Sequence, residues 1–132
     1  MESWRFEGPM GSPAGALEEE RWPPMNVVLC NCPPAESRAI ARRLIREGLA
    51  ACVNVIGGVS SFYEWEGKLE EESEDTLLIK VARSGLAALG DRIRELHPYS
   101  TVEIVVLEVD AEQSDPDYVA WVERCGKADR AG

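Results

Sequence analysis

The side chains that could do chemistry in this chain are few. The single histidine, His97, precedes Pro98-Tyr99, and Glu103 follows shortly after. The two could form an acid–base pair, but one histidine without an obvious nucleophile is thin support for catalysis. Cys30 and Cys32 are two positions apart, so on a strand they share one face, where a disulfide between them would be strained. Tyr63, Trp65, Lys80, His97, Tyr99, Glu103 and Trp121 together offer aromatic walls with a few charged groups, the usual makeup of a small-molecule pocket. Lys80 and Glu103, on facing strands, could equally form a structural ion pair. The acidic run Glu70-Glu71-Glu72-Ser73-Glu74-Asp75 could hold a hard cation. Alternation along a strand divides those carboxylates between two faces, however, which predicts a solvated edge. Phosphate-binding glycine loops, paired zinc spacings and G-x-S-x-G elbows are absent. The expected class is therefore a binding protein and not an enzyme.

Positioning those groups requires a folded domain, and 132 residues with 45% hydrophobic content suffice for one. A formal charge of -10 argues against a nucleic-acid partner, because phosphate contacts need clustered Lys and Arg. No apolar run approaches the ~20 residues that span a bilayer. The first residues lack the basic region and apolar core of a secretory signal, so no membrane association and a cytoplasmic location are expected. The four cysteines suggest no disulfide framework by spacing, and Cys52 in Ala50-Ala51-Cys52-Val53 reads as a small buried hydrophobe. Residues 1–25, rich in Gly, Pro and Glu, read as a flexible extension, although Trp4, Phe6 and Trp22 could dock on a partner. Residues 26–126 form the expected domain and 127–132 a short tail.

Within the domain, Val27–Cys30 is a short apolar run ended by Pro33-Pro34, which predicts a buried strand. Ala39, Ile40, Leu44 and Ile45 recur at helical spacing, and Gly48 is a natural left-handed stop. A strand over 50–56 meets Gly57-Gly58, the mark of a bulge, then resumes at Val59, turns near Gly67 and returns to Val81. Ser84 can cap a second helix carrying Leu86, Leu89, Ile93 and Leu96, and Pro98 ends it. A strand over 101–109 follows, and Asp115-Pro116 opens a last helix with Tyr118, Val119, Trp121 and Val122. The order β-α-β-β-α-β plus a C-terminal helix is the ferredoxin-like split β-α-β pattern, an α+β fold. It predicts a four-stranded antiparallel sheet with a long hairpin and both main helices on one face. Val59, Phe62, Tyr63 and Trp65 lie on the hairpin arm, and leaving them in water would create an adhesive edge. Sister copies that shield the arm would gain roughly 1.5–3 kcal/mol per large apolar side chain.

Several separated elements resemble the CutA family of divalent-cation tolerance proteins. They are Leu29-Cys30 with Pro33, Glu47-Gly48-Leu49-Ala50-Ala51-Cys52-Val53-Asn54, Phe62-Tyr63-Glu64-Trp65-Glu66-Gly67-Lys68, Glu74, Ile79-Lys80, His97-Pro98-Tyr99, Glu103-Ile104, and Asp117-Tyr118 with Trp121. The resemblance implies a ferredoxin-like subunit assembled as a homotrimer, with a role in tolerance to or binding of divalent metals, notably copper. It also implies a likeness to PII signalling trimers, hence an alternative as a signalling or small-molecule-binding trimer with an intersubunit pocket. A copper site of some bacterial members is similar to Cys30 plus His97, with Cys32 as an added sulfur; thiolate and imidazole suit copper. Leu96 stands where such members can carry a second histidine, and Asn31-Cys32 replaces a threonine-containing turn. Read without the resemblance, Cys30 is a core thiol and His97 a hydrogen-bonded junction residue.

Overall fold

Antiparallel pairing of two long strands dictates the architecture, seen in a computed structural model that describes residues 23–131, with side chains through Cys125. β1 (Met25–Cys32) is followed by helix α1 (Pro34–Arg46), and then by β2 (Cys52–Trp65) and β3 (Lys68–Ala82), which form the hairpin. A single turn of 3-10 helix (Arg83–Gly85) leads into α2 (Leu86–Leu96), then β4 (Val105–Glu108) and α3 (Pro116–Ala131). The sheet order is β2-β3-β1-β4, with every pair antiparallel. This is the ferredoxin-like arrangement expected from the element order. The expected extension over 1–22, with Trp4, Phe6 and Trp22, lies outside the described residues.

Strand alternation sorts the core. Val28, Cys30 and Cys32 of β1 and Leu77, Ile79 and Val81 of β3 face Ile40 and Leu44 of α1 and Leu89 and Ile93 of α2. On the opposite face, Met25 packs with Val119 and Val122 of α3, beside Val27, Ala51 and Val109. Met25, placed by the sequence in the extension, is buried here. α3 continues to Ala131, through most of the expected tail, over Lys127, Ala128, Arg130 and Ala131, all compatible with helix. Its start is capped as expected: the Tyr118 N–H donates to Asp115 Oδ2 at 3.0 Å.

Three local expectations differ. α1 turns Ser37, Ile40 and Leu44 inward and leaves Ile45 43% exposed. The Ser37 hydroxyl donates to the buried Asp75 Oδ2 at 2.6 Å, from the same inward face as Ile40 and Leu44. α2 has Gly85, not Ser84, at its N-cap, without a side-chain cap, because the 3-10 turn precedes it. β4 covers only Val105–Glu108 instead of 101–109. It pairs with Asn26–Leu29 of β1, and beyond them the Asn31 carbonyl accepts from the His97 imidazole instead of from a strand.

The burial of α1 makes a paired prediction. Leu44→Ala should lower stability by about 2–5 kcal/mol, whereas Ile45→Ala should change it by less than about 1 kcal/mol. Urea titrations at equal protein concentration read both, and equal effects would refute the assigned face.

Candidate functional site

A tight turn fixes the hairpin register. Glu66 and Gly67 both adopt positive φ, 52° and 80°, as a two-residue connection with the handedness of the strands requires. Counting back from it, Trp65 faces Lys68, Tyr63 faces Glu70 and Ser61 faces Glu72. The register shifts between Ile56 and Val59, where Gly58 takes φ 74°, so the expected bulge is present. Directly opposed residues share a face, so Ser61, Tyr63 and Trp65 lie over Glu70, Glu72 and Glu74.

This face forms one wall of an open cleft of about 870 Å³; the 99–103 segment, through Tyr99, Ser100, Thr101 and Glu103, forms the other, with Asn31 at its base. At its inner end Glu74, only 7% exposed, accepts hydrogen bonds from Ser61 Oγ at 2.7 Å and from the Tyr99 hydroxyl at 3.2 Å. Burial and the Glu74 bond push the Tyr99 phenol up to about 12. The Tyr63 phenol is also raised, by desolvation and then by its hydrogen bond to Glu72.

His97 holds the second wall in place. Its Nε2 is 2.8 Å from the Asn31 carbonyl, which can only accept, so Nε2 carries the proton. Nδ1 accepts from the Tyr99 N–H at 3.2 Å, and the two rings lie 4.7 Å apart. The Asn31 side chain is fixed in turn, its Oδ1 accepting from Thr76 Oγ1 at 2.6 Å.

Of the residues expected to form a pocket, Tyr63, Trp65, Tyr99 and Glu103 line the cleft, but Lys80 and Trp121 do not. Lys80 pairs across the hairpin with Cys52, far from the turn, and its Nζ donates to Asn54 Oδ1 and lies 4.0 Å from Cys52 Sγ. No Lys80–Glu103 ion pair forms among the described residues. Trp121 packs on Tyr118 along α3, with ring centroids 5.6 Å apart. The acidic run is a solvated edge only in part: Glu71 and Glu72 are exposed, whereas Glu74 is buried at the inner end of the cleft and Asp75 is buried on the other face. Asn31 and Ser61 line the cleft without having been expected as site residues. Ser61 could have been found by counting the hairpin register back from Glu66-Gly67.

Cys30 and His97 both approach the carbonyl of Asn31, and Cys32 follows on the same buried face of β1. The Cys30 thiol lies 3.8 Å from the same Asn31 carbonyl that His97 contacts. Both thiols are fully buried on the helix-covered face. Burial, followed by the neighbouring Cys32 and the carboxylates of Glu103 and Glu74, pushes Cys30 up to about 12. Burial and then Asp75 push Cys32 to about 11. Ligation of a metal here would release the thiol protons and at least one of the two His97 hydrogen bonds. Among the described residues, no three His, Cys, Asp or Glu side chains are grouped to hold one ion.

Comparison with known proteins bears on what this arrangement serves. The sequence model described as "CutA1 divalent ion tolerance protein" matches residues 26–125. A "Protein CutA homolog" from Xenopus laevis is 42% identical over 99 residues, which is 74% of this chain and 64% of that protein. The chain thus spans less than two thirds of that relative's length. The "Divalent-cation tolerance protein CutA" of Thermus thermophilus is 39% identical over 97 residues, 73% of this chain and 92% of that protein. Among solved structures, "PII-like protein CutA from Nostoc sp. PCC 7120 in apo form" superposes with a TM-score of 0.72 at 43% identity, covering 74% of this chain and 93% of that one.

The buried thiols carry a pH dependence of definite sign. In the unfolded chain they ionise near 9.0, and in the native protein only at about 12 and about 11. Their contribution to stability is therefore fully present below pH 9 and is lost as pH rises through the native values. Denaturation midpoints should fall from pH 9 upward, and less steeply in Cys30→Val; an identical slope in the variant would contradict the assignment.

Proposed function

This chain belongs to the CutA1 divalent ion tolerance family, and on that premise we propose that it serves divalent-cation tolerance as a binding protein, without covalent catalysis, and that the cleft is its ligand site. The observation that carries this reading is the cleft itself. It combines aromatic walls with inward carboxylates, one of them buried and hydrogen-bonded in place.

The functional unit is a homotrimer in this proposal. Phe62 and Trp65 are each 61% exposed and Leu69 78%, all on the arm, and all four residues of the β4 edge strand are exposed as well. Burying each such side chain against a sister copy is worth roughly 1.5–3 kcal/mol. Open edges at β2 and β4 give sister sheets a means of joining. We place the trimer in the cytoplasm, a reading supported by four free cysteines. Sedimentation velocity at micromolar concentration should yield a particle of three 14.6 kDa chains. A folded single-chain particle would refute the assembly.

A copper site at Cys30, Cys32 and His97 is the second reading, favoured by the convergence of Cys30 and His97 on the Asn31 carbonyl. It requires loss of the thiol protons and release of at least one His97 hydrogen bond. If copper is held there, Cys30→Ser and His97→Ala each weaken Cu(I) affinity about tenfold or more in chelator competition. Unchanged affinity in both variants would eliminate that site and leave the cleft.

A further inference from the structure

We propose that residues 18–22 of the chain's own N-terminal extension dock along the outer face of α1, on a stripe formed by Arg38, Arg42, Ile45 and Arg46. The inference concerns a different surface from the cleft and does not depend on it.

The stripe is anomalous in charge. The chain carries a formal charge of -10, yet α1 holds four arginines against a single acidic residue, Glu36. One of the four, Arg43, is engaged by Glu47 at 3.0 Å, and Glu47 also binds Arg92 at 2.8 Å. Arg38, Arg42 and Arg46 are exposed, and none of them has an ion-pair partner among the described residues. Spacings of four place all three on one side of the helix. That side faces away from the sheet and belongs neither to the hairpin arm nor to the β2 and β4 edges, so the proposed trimer leaves it outward.

The stripe is anomalous in hydropathy as well. Ile45, between Arg42 and Arg46, is 43% exposed among guanidinium groups. A partner fitted to this face therefore brings carboxylates at intervals and one large apolar side chain. The segment Glu18-Glu19-Glu20-Arg21-Trp22, outside the described residues, has that makeup and ends three residues before the first residue of β1.

Position and polarity agree. β1 starts where β3 ends, with Met25 opposite Ala82, and the Pro24 carbonyl accepts from the Arg83 N–H at 2.9 Å. α1 returns to the same end of the sheet, because the Ala51 N–H that follows it donates to the Lys80 carbonyl at 2.9 Å. Going back from Met25, Trp22 comes first, then Glu20, then Glu18. Going back along α1 from that end, Arg46 and Ile45 come first, then Arg42, then Arg38. Glu18, Glu20 and Trp22 share one side of an extended chain at intervals of about 6.6 Å, and the arginines repeat at about 6 Å along the helix. Five residues span up to about 18 Å, enough to carry Glu20 from Met25 across the about 8–10 Å between packed layers. Trp22 then covers Ile45 with the Arg46 guanidinium against its ring, Glu20 and Glu18 meet Arg42 and Arg38, and Glu19 and Arg21 turn outward. Each exposed pair is weak alone, so the docking depends on the set.

The experiment follows tryptic cleavage of the Arg21–Trp22 bond, by mass, in the full chain in its native assembly at about 0.05 M salt. Docking shields this bond. Arg38→Gln combined with Arg42→Gln should speed cleavage about threefold or more, and Ile45→Ala about twofold or more, with native melting temperatures kept. Arg94→Gln, at an exposed arginine of α2 outside the stripe, should leave the rate unchanged. In about 0.5 M salt the wild type and the double variant should converge. Arg42→Lys keeps the charge, and a carbodiimide should then join its amine to Glu18 or Glu20 in a product of one chain's mass. A product of two chains' mass would put the segment on a sister copy and overturn the inference. Equal cleavage rates in the wild type and the stripe variants would overturn it too, and polyglutamate binding the wild type but not the double variant would then assign the stripe to an outside acidic partner. If Arg94→Gln speeds cleavage as much as the stripe variants do, net charge governs the rate and the inference falls.

Discussion

The register of one hairpin governs what this molecule can do. Side chains on a strand alternate with period two, so a slip of a single residue would exchange the faces of β3 relative to β2. Glu70, Glu72 and Glu74 would then leave the cleft, and Asp75 would lose Ser37. Two devices hold the register. Glu66 and Gly67, both at positive φ, match the twist of the strands at the tip, and the bulge between Ile56 and Val59 absorbs the offset between the arm and the covered part of the sheet. Everything in the cleft wall is placed by those two irregularities.

The second wall depends on a competition at the sheet edge. The Asn31 carbonyl could have continued the ladder with β4. It accepts from His97 instead, and the chain after Pro98 is released from the sheet to carry Tyr99 and Glu103 across the cleft. The imidazole is therefore a structural splice between the end of α2 and the edge of β1. Its two hydrogen bonds run in opposite senses, which fixes both its tautomer and the position of Tyr99.

The sequence disclosed the scaffold far better than the site. Local signals sufficed for the helix stop at Gly48, the Asp115 cap, the glycine bulge and the hairpin turn, because each arises from residues adjacent in the chain. The length of β4 was misjudged for a reason outside its own sequence: Thr101–Ile104 have strand-like composition, but the edge they would join is already occupied. Lys80 and Trp121 were grouped with the cleft by residue type alone, whereas the hairpin register places Lys80 beside Cys52 and Asn54, at the opposite end of β3 from Glu70. The acidic run divides between two faces as its alternation requires and is solvated over Glu71 and Glu72, but nothing in a run of carboxylates reveals that a serine waits on each side of Glu74 and Asp75. Cys30 and His97 both approach the Asn31 carbonyl, a backbone acceptor whose position no residue type announces.

Glu74 and Asp75 are neighbours in sequence, both buried, and point to opposite sides of the same strand, one to Ser61 and Tyr99, the other to Ser37 of α1. They act as a rivet driven through the sheet. β3 cannot rotate about its axis or glide along its neighbours at this point without freeing two carboxylates at once from their hydroxyl partners. The α1 layer and the opposite face of the sheet are thereby tied to the same point of β3, and losing a hydroxyl on either side leaves a buried carboxylate without that partner.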